Sequence, residues 1–265
     1  MKDPPMTDER TAWVRTEPGI AVIPIVNWLG LRTLYLKEVR RFFKVQLQTI
    51  WAPAITTLLF LVIFSVALGG QRRTVMGVAY ADFIAPGLII MAMMQNAFAN
   101  ASFSLLVGKM QGTIVDYLMP PLSVTELMTA LVGAAVTRAI LVGLALWGAM
   151  LLWPGVHVPV RHAGAMLWFG LMGAVMLSLL GLMTSMWAEK FDHSAAVTNF
   201  IIQPLSLLSG TFYAIDNLHG AFRTVSYLNP FFHVIAGFRY GFLGVADAPV
   251  AVGAAALLVL NLALA

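Results

Sequence analysis

The chain has 265 residues, 60% of them hydrophobic and 11% charged, with a mean hydropathy of +0.84, whereas a soluble domain carries about 25% charged residues. This balance excludes an ordinary soluble domain and indicates an integral membrane protein: several uncharged runs reach the ~20 residues a helix needs to cross ~30 Å of hydrocarbon, and the strand alternation of an outer-membrane barrel is missing. With no cysteine there is neither a disulfide framework nor a thiolate metal site, and the net charge of +4 gathers beside the first apolar run, where anionic lipid headgroups are a simpler partner than nucleic acid.

In chain order, residues 1–26 hold four prolines and no apolar core of signal-peptide length before a small-residue cleavage site. They are expected to form a flexible cytoplasmic tail, with the first span acting as an uncleaved insertion signal. Asn27–Gln46 reads NWLGLRTLYLKEVRRFFKVQ. At a helical rotation of about 100° per residue, Lys37, Arg40, Arg41 and Lys44 fall together, opposite Trp28, Leu31, Tyr35, Val39 and Phe42. This pattern predicts an amphipathic helix, capped by Asn27, lying in the cytoplasmic interface with its cations among headgroups. Such a helix serves either as a lever sensed by a cytoplasmic partner or as a plain positive flank.

Spans are expected at about 50–68, 83–107, 127–153, 163–188, 194–213 (bent near Pro204) and 248–265. The last is short: Val250–Ala265 is 16 residues, about 24 Å of helix, as expected if the chain continues further. Placing the tail and the 108–126 and 189–193 loops on one side gives ten basic residues there against five on the other, so the positive-inside rule puts the N-terminus in the cytoplasm. The intervening stretch SYLNPFFHVIAGFRYGFLG, 226–244, cannot span. Asn229 and Pro230 make a helix start, Gly241 and Gly244 are stops, and the enclosed residues 230–240 cover roughly 16 Å. Residues 214–245 are therefore expected as two short helices that dip into the outer leaflet and return, with Arg239 and His233 toward water or headgroups and Phe231, Phe232 and Phe238 in the apolar layer.

Polar groups within the spans are candidate pathway residues. On the second span Asn96, Asn100 and Ser104 recur every four residues beside Gln95, a stripe suited either to a translocation route or to helix-to-helix hydrogen bonding. Arg138 stands alone in the third span, where a central arginine costs ~2.5–3.5 kcal/mol. Its expected partner is an anionic headgroup or the carbonyls freed at Pro204. The five histidines form no HExxH arrangement, so no metal site is expected. No GxSxG elbow supports a catalytic set either.

The segments YLKEVRRFFKVQLQTIWAP (35–53), FIAPGLIIMAMMQNAFANASFS (83–104), GTIVDYLMPPLS (112–123), LSGTFYAI (208–215) and LNPFFHVIAGFRYGFLG (228–244) occur in an order that resembles the membrane subunit of bacterial ABC-2 type transporters. That family exports drugs, polysaccharides and lipid-linked glycans, and the resemblance covers about residues 27–265. It implies an all-α membrane protein: six transmembrane helices after a cytoplasmic interface helix, with a re-entrant extracellular helix pair between helices five and six. It also implies a homodimer, two copies of a separate ATPase that carries the ATP and Mg, and no cofactor on this chain, which is a transporter subunit rather than an enzyme. In agreement, no GxxxxGK[ST] phosphate cradle is present, the one Gly-Lys pair, Gly108–Lys109, being followed by Met110. Carried onto these positions, Thr113, Asp116, Tyr117 and Met119 are the expected ATPase contact, with Asp116 and Tyr117 most exposed, and Glu189 and Lys190 are a second contact. Phe212, Tyr213, Phe231, Phe232 and Arg239 become candidates for an extracellular gate or plug. The rivals are an ion-coupled secondary transporter, which should show acids within the spans, and a membrane-embedded enzyme acting on lipid.

Overall fold

Apolar runs of this length satisfy their backbone groups internally by forming helices, and the described residues are mostly helical. The structure is a computed structural model, and it describes residues 26–67, 74–153, 155–215 and 220–265. The expected tail up to residue 25, Arg72 and Arg73, and positions 216–219 of the dipping hairpin lie outside the described residues. Helix α1, Trp28–Phe43, leads through an elbow and a π turn, Leu47–Trp51, into α2, Ala52–Ala67. Thr49 pins the elbow by donating to the carbonyls of Phe42 and Val45 at 3.1 and 3.0 Å. Strands β1, Thr74–Val75, and β2, Val78–Ala79, pair antiparallel. Their turn places Met76 and Gly77 at φ 52° and 80°, the left-handed pair that a two-residue hairpin with right-twisted strands requires.

Next come α3, Tyr80–Met110, the single-turn α4, Val115–Leu118, then α5, Val124–Leu151, and α6, Ala163–Trp187. Ser123 and Glu126 close a capping box at the start of α5. Helix α7, Phe191–Val197, passes through a second π turn, Thr198–Ile202, into α8, Gln203–Leu207, and α9, Ala221–Leu228, α10, Pro230–Leu243, and α11, Val250–Leu264, complete the order. Among the described residues, four helical stretches are long and apolar enough to cross a membrane: Leu47–Phe64, Tyr80–Met110, Val124–Leu151 and Ala163–Trp187. The expected fifth and sixth spans are shorter: the helical run at 191–207 stops well before residue 213, and α11 has 15 residues.

The early stop has a local cause. Gly210 takes φ 76°, a left-handed conformation that ends a helix, so Phe212 and Tyr213 sit in a turn after the helix rather than on it. Pro204, without an N–H, stands just beyond the π turn where the helical register shifts.

Helix α3, apolar apart from one polar stripe, is buried on nearly every side, which makes it the axis of the bundle, packed by α6, α5, α10 and α2. Small residues let the backbones close: a Cβ on Gly181 of α6 would stand 2.5 Å from the Phe98 carbonyl oxygen of α3. Helix α10 begins as expected, with the Asn229 side chain accepting from the Phe231 N–H at 3.0 Å, and ends at Gly244, φ 71°. It does not stop at Gly241. That residue lies inside the helix, where a Cβ would come 2.6 Å from the Met166 backbone nitrogen and its carbonyl accepts from Arg161 and His162 at 3.0 and 2.8 Å.

Arg239 corrects a second expectation. It does not reach water or headgroups but is 1% exposed. It pairs with Asp247 at 2.6 Å, donates to the carbonyls of Gly210 and Phe83 at 2.7 and 3.2 Å, and stacks its guanidinium 3.8 Å from the Phe83 ring centre. The Asp247 carboxylate, eight residues downstream, is the reason: a partner within the protein removes the need for water. Phe231 and Phe232 likewise enter the protein core rather than lipid, each 1% exposed. Arg239→Leu is expected to lower the unfolding free energy in detergent by about 3–5 kcal/mol, whereas the double change with Asp247→Leu costs less, because no buried charge is then left without its partner. Denaturation by SDS titration of the two variants measures the difference.

Candidate functional site

The exposed loops meet at one end of the bundle around α1. Asn27 caps α1 by accepting from the Gly30 N–H at 2.9 Å, and its own backbone N–H donates to the Glu126 carboxylate of α5. Along α1 the apolar stripe, Leu34 and Phe42 with Leu31 and Tyr35 beside them, turns toward the protein. Leu34 joins Leu105, Tyr117, Ala130, Leu131 and Leu182 in one cluster, and the Tyr35 and Thr137 hydroxyls are 2.9 Å apart. The stripe expected in the acyl boundary is therefore spent on α5 and α3, because burial against protein removes it from water as effectively as burial in lipid. Trp28, at the start, is left 70% exposed.

Of the four expected interface cations, Arg40 and Lys44 are exposed. Lys37 is also exposed along its length but sets its ammonium 3.7 Å from the Tyr117 ring centre. Arg41 turns inward: its Nη2 pairs with Glu38 at 2.9 Å and donates to the Asn100 backbone carbonyl at 3.1 Å. Glu38, fully buried, is the centre of this end. One carboxylate oxygen accepts from the Tyr117 hydroxyl at 2.9 Å and the other from the Ser104 hydroxyl at 2.9 Å. Tyr117 is therefore buried, not among the most exposed residues of its loop. Burial first, and the Glu38 carboxylate second, push its phenol upward from the ordinary range, so it stays a hydrogen-bond donor. Thr113, Asp116 and Met119 are exposed around it, Met119 by 79%. Lys109 donates to the carbonyls of Met186 and Ala188 at the end of α6, which brings the exposed Glu189 and Lys190 to the same end of the molecule.

The α3 stripe carries helix-to-helix hydrogen bonds. Asn96 accepts from Arg138 Nη2 at 2.8 Å, Asn100 and Ser104 meet α1 as above, and Gln95 Nε2 lies 3.4 Å from Gln203 Oε1 of α8. Within the protein Arg138 is hydrogen-bonded to the amide of Asn96 rather than to the carbonyls near Pro204. Beside the stripe two cavities open: one of ≈ 520 Å³ between α2, α3 and α8, reached by Gln95, Asn96, Gln203, Phe64 and Phe212, and one of ≈ 300 Å³ at the α1–α2 elbow. Phe212 packs on Phe64 with ring centres 4.4 Å apart, and half-buried Tyr213 donates to the Leu208 carbonyl at 2.9 Å. The gate candidates thus divide. Phe212 reaches a cavity, while Phe231, Phe232 and Arg239 are locked in packing.

Glu38 and Asp247, the two acids that organise the buried charges, were not singled out by sequence reasoning. Each left a faint trace: Glu38 stands three residues before Arg41, the spacing of a helical ion pair, and Asp247 is the nearest acid in sequence to Arg239.

The chain matches the family described as ABC-2 type transporter over residues 30–243. It is 34% identical to the inner membrane transport permease YadH of Escherichia coli strain K12 over 223 residues, covering 84% of this chain and 86% of that protein. It is 26% identical to nodulation protein J of Rhizobium leguminosarum bv. viciae over 239 residues, covering 85% and 86%, and 24% identical to nodulation protein J of Rhizobium meliloti over 234 residues, covering 85% of each. Helices fit to cross a membrane, a polar face on the central one and a family match over most of the length make this chain a membrane transport permease of the ABC-2 type transporter family.

Proposed function

We propose that the chain is the permease subunit of an ATP-driven exporter in a bacterial inner membrane, moving an amphipathic drug, glycan or lipid-linked molecule out of the cytoplasm by alternating access. The N-terminus is cytoplasmic, and six crossings run through α2, α3, α5, α6, the α7–α8 run and α11, with α9 and α10 re-entering from outside. Two copies pair with each other and with two copies of a separate ATPase that holds ATP and Mg. The family match and the likeness to the inner membrane transport permease YadH support transport at an inner membrane.

The observation that carries the coupling is the Tyr117–Glu38–Ser104 connection. An ATPase pressing on exposed Asp116 and Met119 moves Tyr117, and through the buried carboxylate moves α1 and the polar face of α3 together. Exposed apolar side chains flanking that face, Trp51 at the end of the first π turn, Ile55 and Leu59 on α2, and Phe200 and Ile201 on the π turn before α8, support a second copy closing the groove.

In proteoliposomes holding the permease and its ATPase, Tyr117→Phe is expected to keep assembly while lowering ATP-driven export several-fold, since a hydrogen bond to a charged group contributes about 1.5–3 kcal/mol. Asp116→Ala with Met119→Ala weakens ATPase binding without changing the permease's own unfolding midpoint. Transport by the permease alone on an ion gradient overturns the reading. For the hairpin, single cysteines replacing Phe222 and Ala248 are expected to be labelled from the same, periplasmic side; labelling from opposite sides refutes the re-entrant pair.

A further inference from the structure

The ≈ 300 Å³ cavity at the α1–α2 elbow is lined by Arg41, Phe42, Val45, Asn100, Phe103 and Arg138, among others. Three of these present a buried nitrogen without a hydrogen-bond partner: Arg41 Nη1, Asn100 Nδ2 and Arg138 Nε. Asn100 is itself 1% exposed. All three atoms are donors on residues that line the cavity, and buried donors seldom go unmatched.

Charge narrows the choice further. Two guanidinium groups border the space, and the one carboxylate among their partners, Glu38, is paired with Arg41. Among the described residues Arg138 meets only the neutral Asn96 amide, at 2.8 Å. A water molecule would satisfy a donor but leave the charge uncompensated, whereas an anion answers both. Planar guanidinium forks favour carboxylate and phosphate oxygens. Phe42, Val45 and Phe103 supply an apolar wall beside the donors, and Val45 and Phe103 remain 49% and 38% exposed at its mouth.

Depth is compatible with a headgroup. Helix α5 has 28 residues, about 42 Å of helix against a hydrocarbon core of ~30 Å. Charge-bearing α1 flanks its first half, from Glu126 to Thr137, so the excess length belongs at that end and Arg138 lies about 9 Å inside the boundary on the side where α1 brings Arg41.

We propose that this cavity binds the anionic phosphate of an amphiphile, held by Arg138, Arg41 and the Asn100 amide, with its apolar part leaving past Val45 and Phe103. Binding is read on the permease without its ATPase. Loss of the anion site therefore leaves the exporter reading standing, and failed ATP-driven export leaves the site standing.

The test uses the full chain in neutral detergent with short-chain phosphatidylglycerol, short-chain phosphatidylcholine or inorganic phosphate, followed by native mass spectrometry and the thermal unfolding midpoint. Phosphatidylglycerol is expected to be retained and to raise the midpoint more than phosphatidylcholine does, with binding on the order of tenfold weaker in Arg138→Gln, the loss of one charge-assisted contact. Inorganic phosphate that stabilises equally well and displaces the lipid identifies a site for soluble phosphate; phosphate without effect identifies the lipid. Ala99→Leu fills the same cavity and leaves every charge in place, so it too must weaken binding, and it decides the matter if Arg138→Gln does not fold. Equal retention of both lipids, or unchanged phosphatidylglycerol binding in the Ala99→Leu protein, overturns the proposal.

Discussion

A single buried carboxylate, Glu38, holds the loop end of this protein together. A carboxylate without solvent is stable only when its oxygens are met by donors and a positive charge, and here the donors come from separate parts of the chain: Tyr117 from the α4 turn, Ser104 from α3 and Arg41 from one turn further along α1. None of these contacts survives alone at low cost, so α1, α4 and α3 are constrained to one arrangement. The direction of the amphipathic stripe of α1 follows from it. Once Glu38 faces α3, helical geometry turns Leu34 and Phe42, four residues to either side, the same way.

The opposite end of α3 is fixed by a second buried pair. Arg239 and Asp247 reach α3 through the Phe83 carbonyl, and Glu38 reaches it at Ser104. The 21 residue steps from Phe83 to Ser104 on one continuous helix make about 31 Å, close to the hydrocarbon thickness of ~30 Å. Charge is thus admitted at the two ends of the bundle's axis, while the length between them is packed with side chains that need no partner, apart from the amide stripe and Arg138.

Much of this was legible in the sequence, because the signals were local. Hydropathy marked the long helices to within a few residues, and Asn27 and Asn229 announced their helices as caps. What escaped depended on distant partners. Amphipathicity gives α1 an apolar face but is silent on whether protein or lipid covers it. Arg239 reads as a snorkelling cation until Asp247 is brought beside it. Tyr117 reads as a surface residue of a polar loop until Glu38 supplies a reason for burial. Gly241 looks like a helix stop because its actual use, the close approach of Met166, lies in another helix.

The two π turns sit on the two helical runs that flank the polar face, one before α2 and one before α8. Each stretches the hydrogen-bond register by one residue, and neighbouring registers of a helix differ by a rotation of about 100° and a rise of about 1.5 Å. A wide turn migrating along either run would rotate the side chains it passes without unwinding the helix. In the proposed transport cycle such a migration would turn the walls of the groove while its floor, bonded at both ends of α3, keeps its place.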